Sequence, residues 1–250
     1  MHSKIADHIK MADNKNIWKH RSRILLRLAK RRLYKILGRY NNRLQPHKLF
    51  SIKPGYHHAS SVEAFDDTPN KDEWQRNVYE LAAKLAGKMD KPSIIDVGCG
   101  SAYKLVHMLG QYNISGIEVE PTYSWLREQY PEHQWLLFDD TQAASLKADI
   151  IICADVIEHI EDPDSLLDFL QDIDFQYLIL STPERDTKLG KNDYGPPENI
   201  SHYREWNQYE FKDYMRSWFK IEEQQILKDK SITQVLVCVK KSITTTHPSS

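Results

Sequence analysis

The stretch "SIIDVGCGSAYK", residues 93–104, constrains this chain most. A short apolar run ends in Asp96, then Gly98, Cys99 and Gly100 follow, and then a segment that can turn helically. Glycine has no Cβ, so a tight turn of this kind lets a ligand approach the backbone closely, and the helix after it offers free N–H groups. The segments beyond it alternate. The strand-like runs "ISGIE", "HQWLLF", "ADIIICA" and "QYLILS" are separated by helix-length stretches, among them "PTYSWLREQY" and "DPDSLLDFLQ". Continuous apolar runs alternating with helices predict an α/β fold, doubly wound, with a mostly parallel sheet covered on both faces. A ligand is then expected across the carboxyl ends of the strands. The end of the chain breaks the rhythm. A loop over 182–207 precedes a helix near 208–217 and two extended segments, "FKIEEQQIL" and "ITQVLVCV".

The net charge of −1 conceals a split. Between Lys15 and Lys53 stand thirteen Lys or Arg and no acidic residue, whereas from Pro54 onward nineteen basic residues accompany thirty-three acidic ones. The domain reading is therefore a basic helical arm (1–54), an α/β domain (55–241) and a disordered tail (242–250). Residues 17–40 have the period of an amphipathic helix. Leu25, Ala29, Leu33, Ile36 and Tyr40 lie on one face, and Arg23, Arg27, Lys30 and Arg31 on another. The arm is expected either to dock on the body with its basic face in solvent or to lie on an anionic membrane surface. Nucleic acid is a weaker option, because stacking aromatics are few. A second helix is expected over 70–89, opened by an Asn70–Glu73 capping box, with Trp74, Val78, Leu81, Leu85 and Met89 on its inner face. Cys99, Cys153 and Cys238 form no CxxC pair, and no secretory or membrane-spanning segment is read. A cytoplasmic setting is expected, with the arm allowing contact at the inner membrane face.

The glycine turn allows two ligand classes. A dinucleotide site wants G-x-G-x-x-G, but the third position here is Tyr103. The order Asp96-Val97-Gly98-Cys99-Gly100 instead places a carboxylate before the turn, where it suits a cationic ligand such as an amino group or a sulfonium. Glu118 ends the second strand at the spacing from which a carboxylate can bind two ribose hydroxyls.

With those residues in place, the sequence resembles the class I S-adenosylmethionine-dependent methyltransferases over about 65–240. "DVGCG" is similar to that family's first motif, with Ala102 in place of its usual third glycine, and "GIEVE" is similar to the second. The resemblance implies a seven-stranded, Rossmann-like methyltransferase fold with S-adenosylmethionine as cofactor. It implies that Asp96, Gly98, Cys99, Gly100, Glu118, Asp139, Asp140 and Asp155 line the cofactor, with Cys99 as a small turn residue and no nucleophile. His159 in "DVIEHI" and His202 in "NISHYREW" are then the candidate catalytic groups. Glu158, His159 and His202 also resemble the Mg or Mn site of small-RNA 2′-O-methyltransferases, which carry a later His-x-x-Glu-Trp run like that of His202, Glu205 and Trp206. The departure is Asp155, where those enzymes have Glu. "STPERD", "GPP-N-SH-REW" and "FDDTPNKDEWQ-NVYELA" resemble methyltransferases of bacterial polysaccharide and glycolipid assembly. The expected acceptor is thus a sugar hydroxyl of a glycan or glycolipid precursor. The alternatives are an RNA 2′-hydroxyl or quinone-precursor phenol with a metal, and a non-catalytic membrane-tethered scaffold.

Overall fold

The computed structural model describes residues 21–34, 37, 48–64, 66–72, 74–228 and 230–241. A seven-stranded sheet in the order β3-β2-β1-β4-β5-β7-β6 forms the centre. Its strands are β1 (Ser93–Val97), β2 (Asn113–Glu118), β3 (Gln134–Leu137), β4 (Lys147–Ala154), β5 (Asp174–Pro183), β6 (Lys220–Lys228) and β7 (Ile232–Val239). The first five are parallel, and β7 enters antiparallel between β5 and β6. Ile150, Ile151, Ile152 and Cys153 are wholly buried on the central β4, as strands covered on both faces must be. The edge strand β6 is only partly covered. The seven-stranded, mostly parallel expectation therefore stands.

The helices are α1 (21–34), α2 (Arg76–Ala86), α3 (Tyr103–Leu109), α4 (Thr122–Gln129), α5 (Pro163–Asp172), α6 (Arg185–Leu189) and α7 (Gln208–Trp218). Their ends follow local chemistry. Asp162 caps α5, with Pro163 at its first position, and Asn207 and Glu210 form a complete capping box on α7.

Two local expectations fail. Helix α2 begins at Arg76 rather than Asn70, after Gln75 in a left-handed conformation, φ 62°. Asn70 is drawn away: its side chain bonds Asp67, and its carbonyl accepts from Ser101 Oγ beside the glycine turn. Trp74, lying before the helix, is 44% exposed instead of packed. On α1 the inward face is reversed. Arg23 pairs with Glu63 at 2.7 Å, Arg27 donates to the carbonyls of Ser61 and Asn199, and Arg31 pairs with Asp193 at 2.9 Å. The acidic body attracts the cations, so the solvated basic face expected from the sequence is the docked one. Of the expected helix 17–40, residues 17–20, 35, 36 and 38–40 lie outside the described residues, as does the tail 242–250.

The loop 182–207 is held by a buried charge cluster. Arg185 is wholly buried and pairs with Glu210 Oε2 at 2.9 Å; its Nη1 also donates to the Glu205 carbonyl. Glu210 also accepts from the Lys53 and Asn207 amides. Arg185→Met leaves that carboxylate without its buried cation. The expected cost is about 3–5 kcal/mol, read as a drop of roughly 10 °C in Tm by thermal unfolding. An unchanged Tm would show that the cluster does not hold the loop.

Candidate active site

The glycine turn sits where β1 meets α3. Gly98 (φ 73°) and Gly100 (φ 54°) take left-handed conformations. A Cβ on Gly98 would lie 2.6 Å from Val156, and one on Gly100 would overlap the Asp67 carboxylate. Ala102, at the third-glycine position, is also left-handed at φ 50°, where a Cβ costs about 1 kcal/mol or more. The Cys99 side chain turns into the core, against Gly116 and Trp135, so only its backbone faces the turn. Burial pushes its thiol well above the usual range, which leaves it inert.

Three carboxylates surround this turn. Glu118 Oε1 accepts from the Gly100 amide at 2.9 Å, and its Oε2 from Val119 N at 2.8 Å. Asp96 is fully buried, with Tyr79 donating to Oδ2 at 2.6 Å and no partner for Oδ1. Asp67 completes the set. Nothing in the sequence marks it, since an Asp before a turn is commonplace and only the fold returns it to Gly100. Burial raises the carboxyls of Asp67 and Glu118, and it raises Asp96 to about 7. Such a cluster favours a cation, which would relieve the repulsion among them.

Asp96 holds its proton more tightly folded than unfolded. Its contribution therefore lowers stability as pH rises from about 4 to about 7 and is constant above that. Asp96→Asn is expected to remove this slope and to stabilise the unliganded protein above pH 7 by about 2–4 kcal/mol. Tm against pH for both proteins checks it, and parallel curves would refute it.

Asp139 and Asp140 are exposed at the carboxyl end of β3. Asp155 follows β4 at φ 52°, receives the Ser181 hydroxyl at 2.7 Å and is raised by burial.

A second cluster lies just beyond Asp155. His159 ends the 3₁₀ turn Ile157–His159, and its ring meets that of His202 edge to face at 4.7 Å. His159 Nδ1 lies 2.8 Å from the Ser201 carbonyl, so Nδ1 carries the proton and Nε2 is the basic nitrogen. Burial lowers its pKa to about 4, and neighbouring His202 adds to the effect. His202 Nδ1 lies 2.8 Å from Glu205 Oε1, and its Nε2 lies 2.9 Å from Asn199 Nδ2. Burial pushes the Glu205 carboxyl up, but the hydrogen bond from His202 and the charges of His202, Lys188 and Arg31 together outweigh it, and the group ends below its usual range. Glu158 is fully buried. Thr182 donates to its Oε2 at 2.9 Å, Oε1 has no partner, and burial together with Asp155 raises it well above the carboxylate range. One ligand atom each of Glu158, His159 and His202 lie within 4.8 Å of one another. Trp206, which shared the motif with His202, instead packs beneath the loop, where it is wholly buried and donates to the Phe50 carbonyl.

A sheet of this order, with an acidic glycine turn after its first strand and a carboxylate closing its second, defines the Rossmann-like methyltransferase class. Residues 67–223, well over half the chain, match the family described as a methyltransferase domain, and the chain belongs to that family. No curated protein matches it. Among solved structures, magnesium protoporphyrin IX methyltransferase (ChlM) from Synechocystis PCC 6803 with bound SAH is 17% identical. The match covers 86% of this chain and 99% of that one, with a TM-score of 0.51. The methyltransferase solved in complex with the Haloferax volcanii Trm112 methyltransferase activator is 16% identical over 72% of this chain and 99% of that one, also at 0.51. At these identities the likeness is one of fold.

Proposed function

We propose that the protein is an S-adenosylmethionine-dependent O-methyltransferase acting on a sugar hydroxyl of a glycan or glycolipid precursor. The observation that carries this reading is the neighbourhood of two sites: a carboxylate-ringed glycine turn suited to a cationic nucleoside, and a pair of imidazoles whose Nδ1 atoms are held by the Ser201 carbonyl and by Glu205. S-adenosylmethionine supplies an electrophilic methyl group on a sulfonium. Asp96 and Asp67 offer negative charge to its cationic groups, and Glu118 takes the ribose hydroxyls. The chain's remaining tasks are to align the acceptor, exclude water and remove the hydroxyl proton. His202 takes that proton on Nε2 when the hydroxyl displaces the Asn199 amide bonded there, and Glu205 stabilises the imidazolium that results. His159, neutral at pH 7, orients the hydroxyl. The Asn199 amide and the Ser201 carbonyl put further polar groups beside the imidazoles, which supports a hydroxyl-rich acceptor. The resemblance of "STPERD" and "SHYREW" to glycan-assembly enzymes supports the same choice.

One observation favours a second reading. The partnerless Glu158 Oε1 beside two imidazole nitrogens fits a divalent cation, Mg or Mn, with Glu205 orienting His202 from behind. Glu158, His159 and His202 would hold it, and it would lower the pKa of an RNA 2′-hydroxyl or a phenol.

Transfer of label from radioactive cofactor into separated lipid-linked glycan, RNA and small-molecule fractions decides between them. Label in glycan that is indifferent to chelator supports the first reading. Label in RNA or phenols that vanishes with chelator overturns it.

A further inference from the structure

Helix α1 carries Arg23, Arg27 and Arg31 against the body and its leucines outward. Leu25, Leu26 and Leu33 are 67%, 57% and 51% exposed, and Leu37 is 37% exposed. At about 100° per residue, Leu25, Ala29 and Leu33 step along one stripe, with Leu26 beside it. Exposed cations rim the stripe: Arg21 and Arg32 along one edge, Lys30 along the other. The opposite face is clamped to the body by the Arg31–Asp193 and Arg23–Glu63 pairs and by Tyr34 stacked on His57 at 3.6 Å. An apolar stripe that a docked helix leaves uncovered marks an interaction surface.

We propose that this face of α1 seats in the surface of an anionic lipid bilayer. The leucines would enter the acyl boundary while Arg21, Lys30 and Arg32 meet the headgroups. Charge selects this occupant. Between Lys15 and Lys53 the sequence has no acid, and with Arg23, Arg27 and Arg31 docked on the body the exposed Arg21, Lys30 and Arg32 still give this face a positive charge that suits a negative surface. A second copy would press the same cationic rims against each other. The inward arginines also neutralise carboxylates of the acidic body, so that α1 stands between that body and the lipid. Among the described residues no helix is long and apolar enough to cross a membrane, so the contact is peripheral. Because Arg27 and Arg31 grip Asn199, Pro196 and Asp193, the docked face lies against the segment that leads to His202. This docking does not depend on which acceptor is methylated.

The test is flotation of the full chain with phosphatidylcholine vesicles, with and without phosphatidylglycerol. The bound fraction is expected to rise about tenfold or more with anionic lipid and to fall at high salt. The double variant Leu25→Asp/Leu33→Asp is expected to lose binding by about tenfold or more. Its Tm and cofactor affinity should stay unchanged, because both side chains already face solvent. Equal binding to neutral and anionic vesicles, or full binding by the double variant, overturns the proposal. So does a concentration-dependent dimer in sedimentation that the double variant abolishes, since the stripe would then belong to a second copy.

Discussion

In His202→Ala, methyl transfer is expected to fall by roughly 10²–10⁴-fold while cofactor affinity stays within about twofold. The split follows from position. His202 lies on the loop between α6 and α7, in the cluster beside the glycine turn and not among its three carboxylates, and its Nδ1 is held by Glu205 at 2.8 Å. Removing the ring removes the proton acceptor but leaves Asp67, Asp96 and Glu118 in place. Glu205→Gln keeps the shape of the pair while losing its charge. A smaller loss is expected there, because the ring stays in place while the imidazolium loses its counter-charge. Single-turnover rates with a methyl-accepting fraction, alongside calorimetric titration of the cofactor, measure both quantities. Full turnover in His202→Ala would remove the residue from the mechanism. Equal loss of turnover and cofactor binding would make its role structural.

Glu118→Ala is expected to weaken cofactor binding by about a hundredfold or more, since hydrogen bonds to a charged group contribute about 1.5–3 kcal/mol each and a carboxylate can make two to a ribose. The fold should survive the change. Burial already raises this carboxyl, so the unliganded protein loses only the bonds to the Gly100 and Val119 amides. Calorimetric titration with S-adenosylmethionine checks the affinity, and thermal unfolding without ligand checks the fold. Glu118→Gln, which retains one acceptor, should fall between the two. Unchanged affinity in Glu118→Ala would place the nucleoside elsewhere on the sheet.

Much of the architecture was legible locally. The isoleucine run in β4 read as a strand buried on both faces, and Asn207 with Glu210 marks the start of α7. The same kind of signal misled at Asn70, where a capping pattern was outcompeted by bonds to Asp67 and Ser101. The motif around His202 was legible as a motif but not as a division of labour. His202 and Glu205 pair in the site, while Trp206 and Glu210 hold the loop from below.

The sequence by itself determined the alternation of strands and helices, the bare turn after β1 and the carboxylate at the end of β2. These depend on side-chain periodicity and on backbone conformations that neighbouring residues set among themselves. Only the tertiary structure decided that Asp67 closes over Gly100, that His159 meets His202, and that α1 docks through its arginines. Each of these joins groups far apart in the chain, and the outcome depends on the charge and burial that the partner supplies. Helical periodicity showed that α1 has two faces. The acidic body decided which of them turned inward.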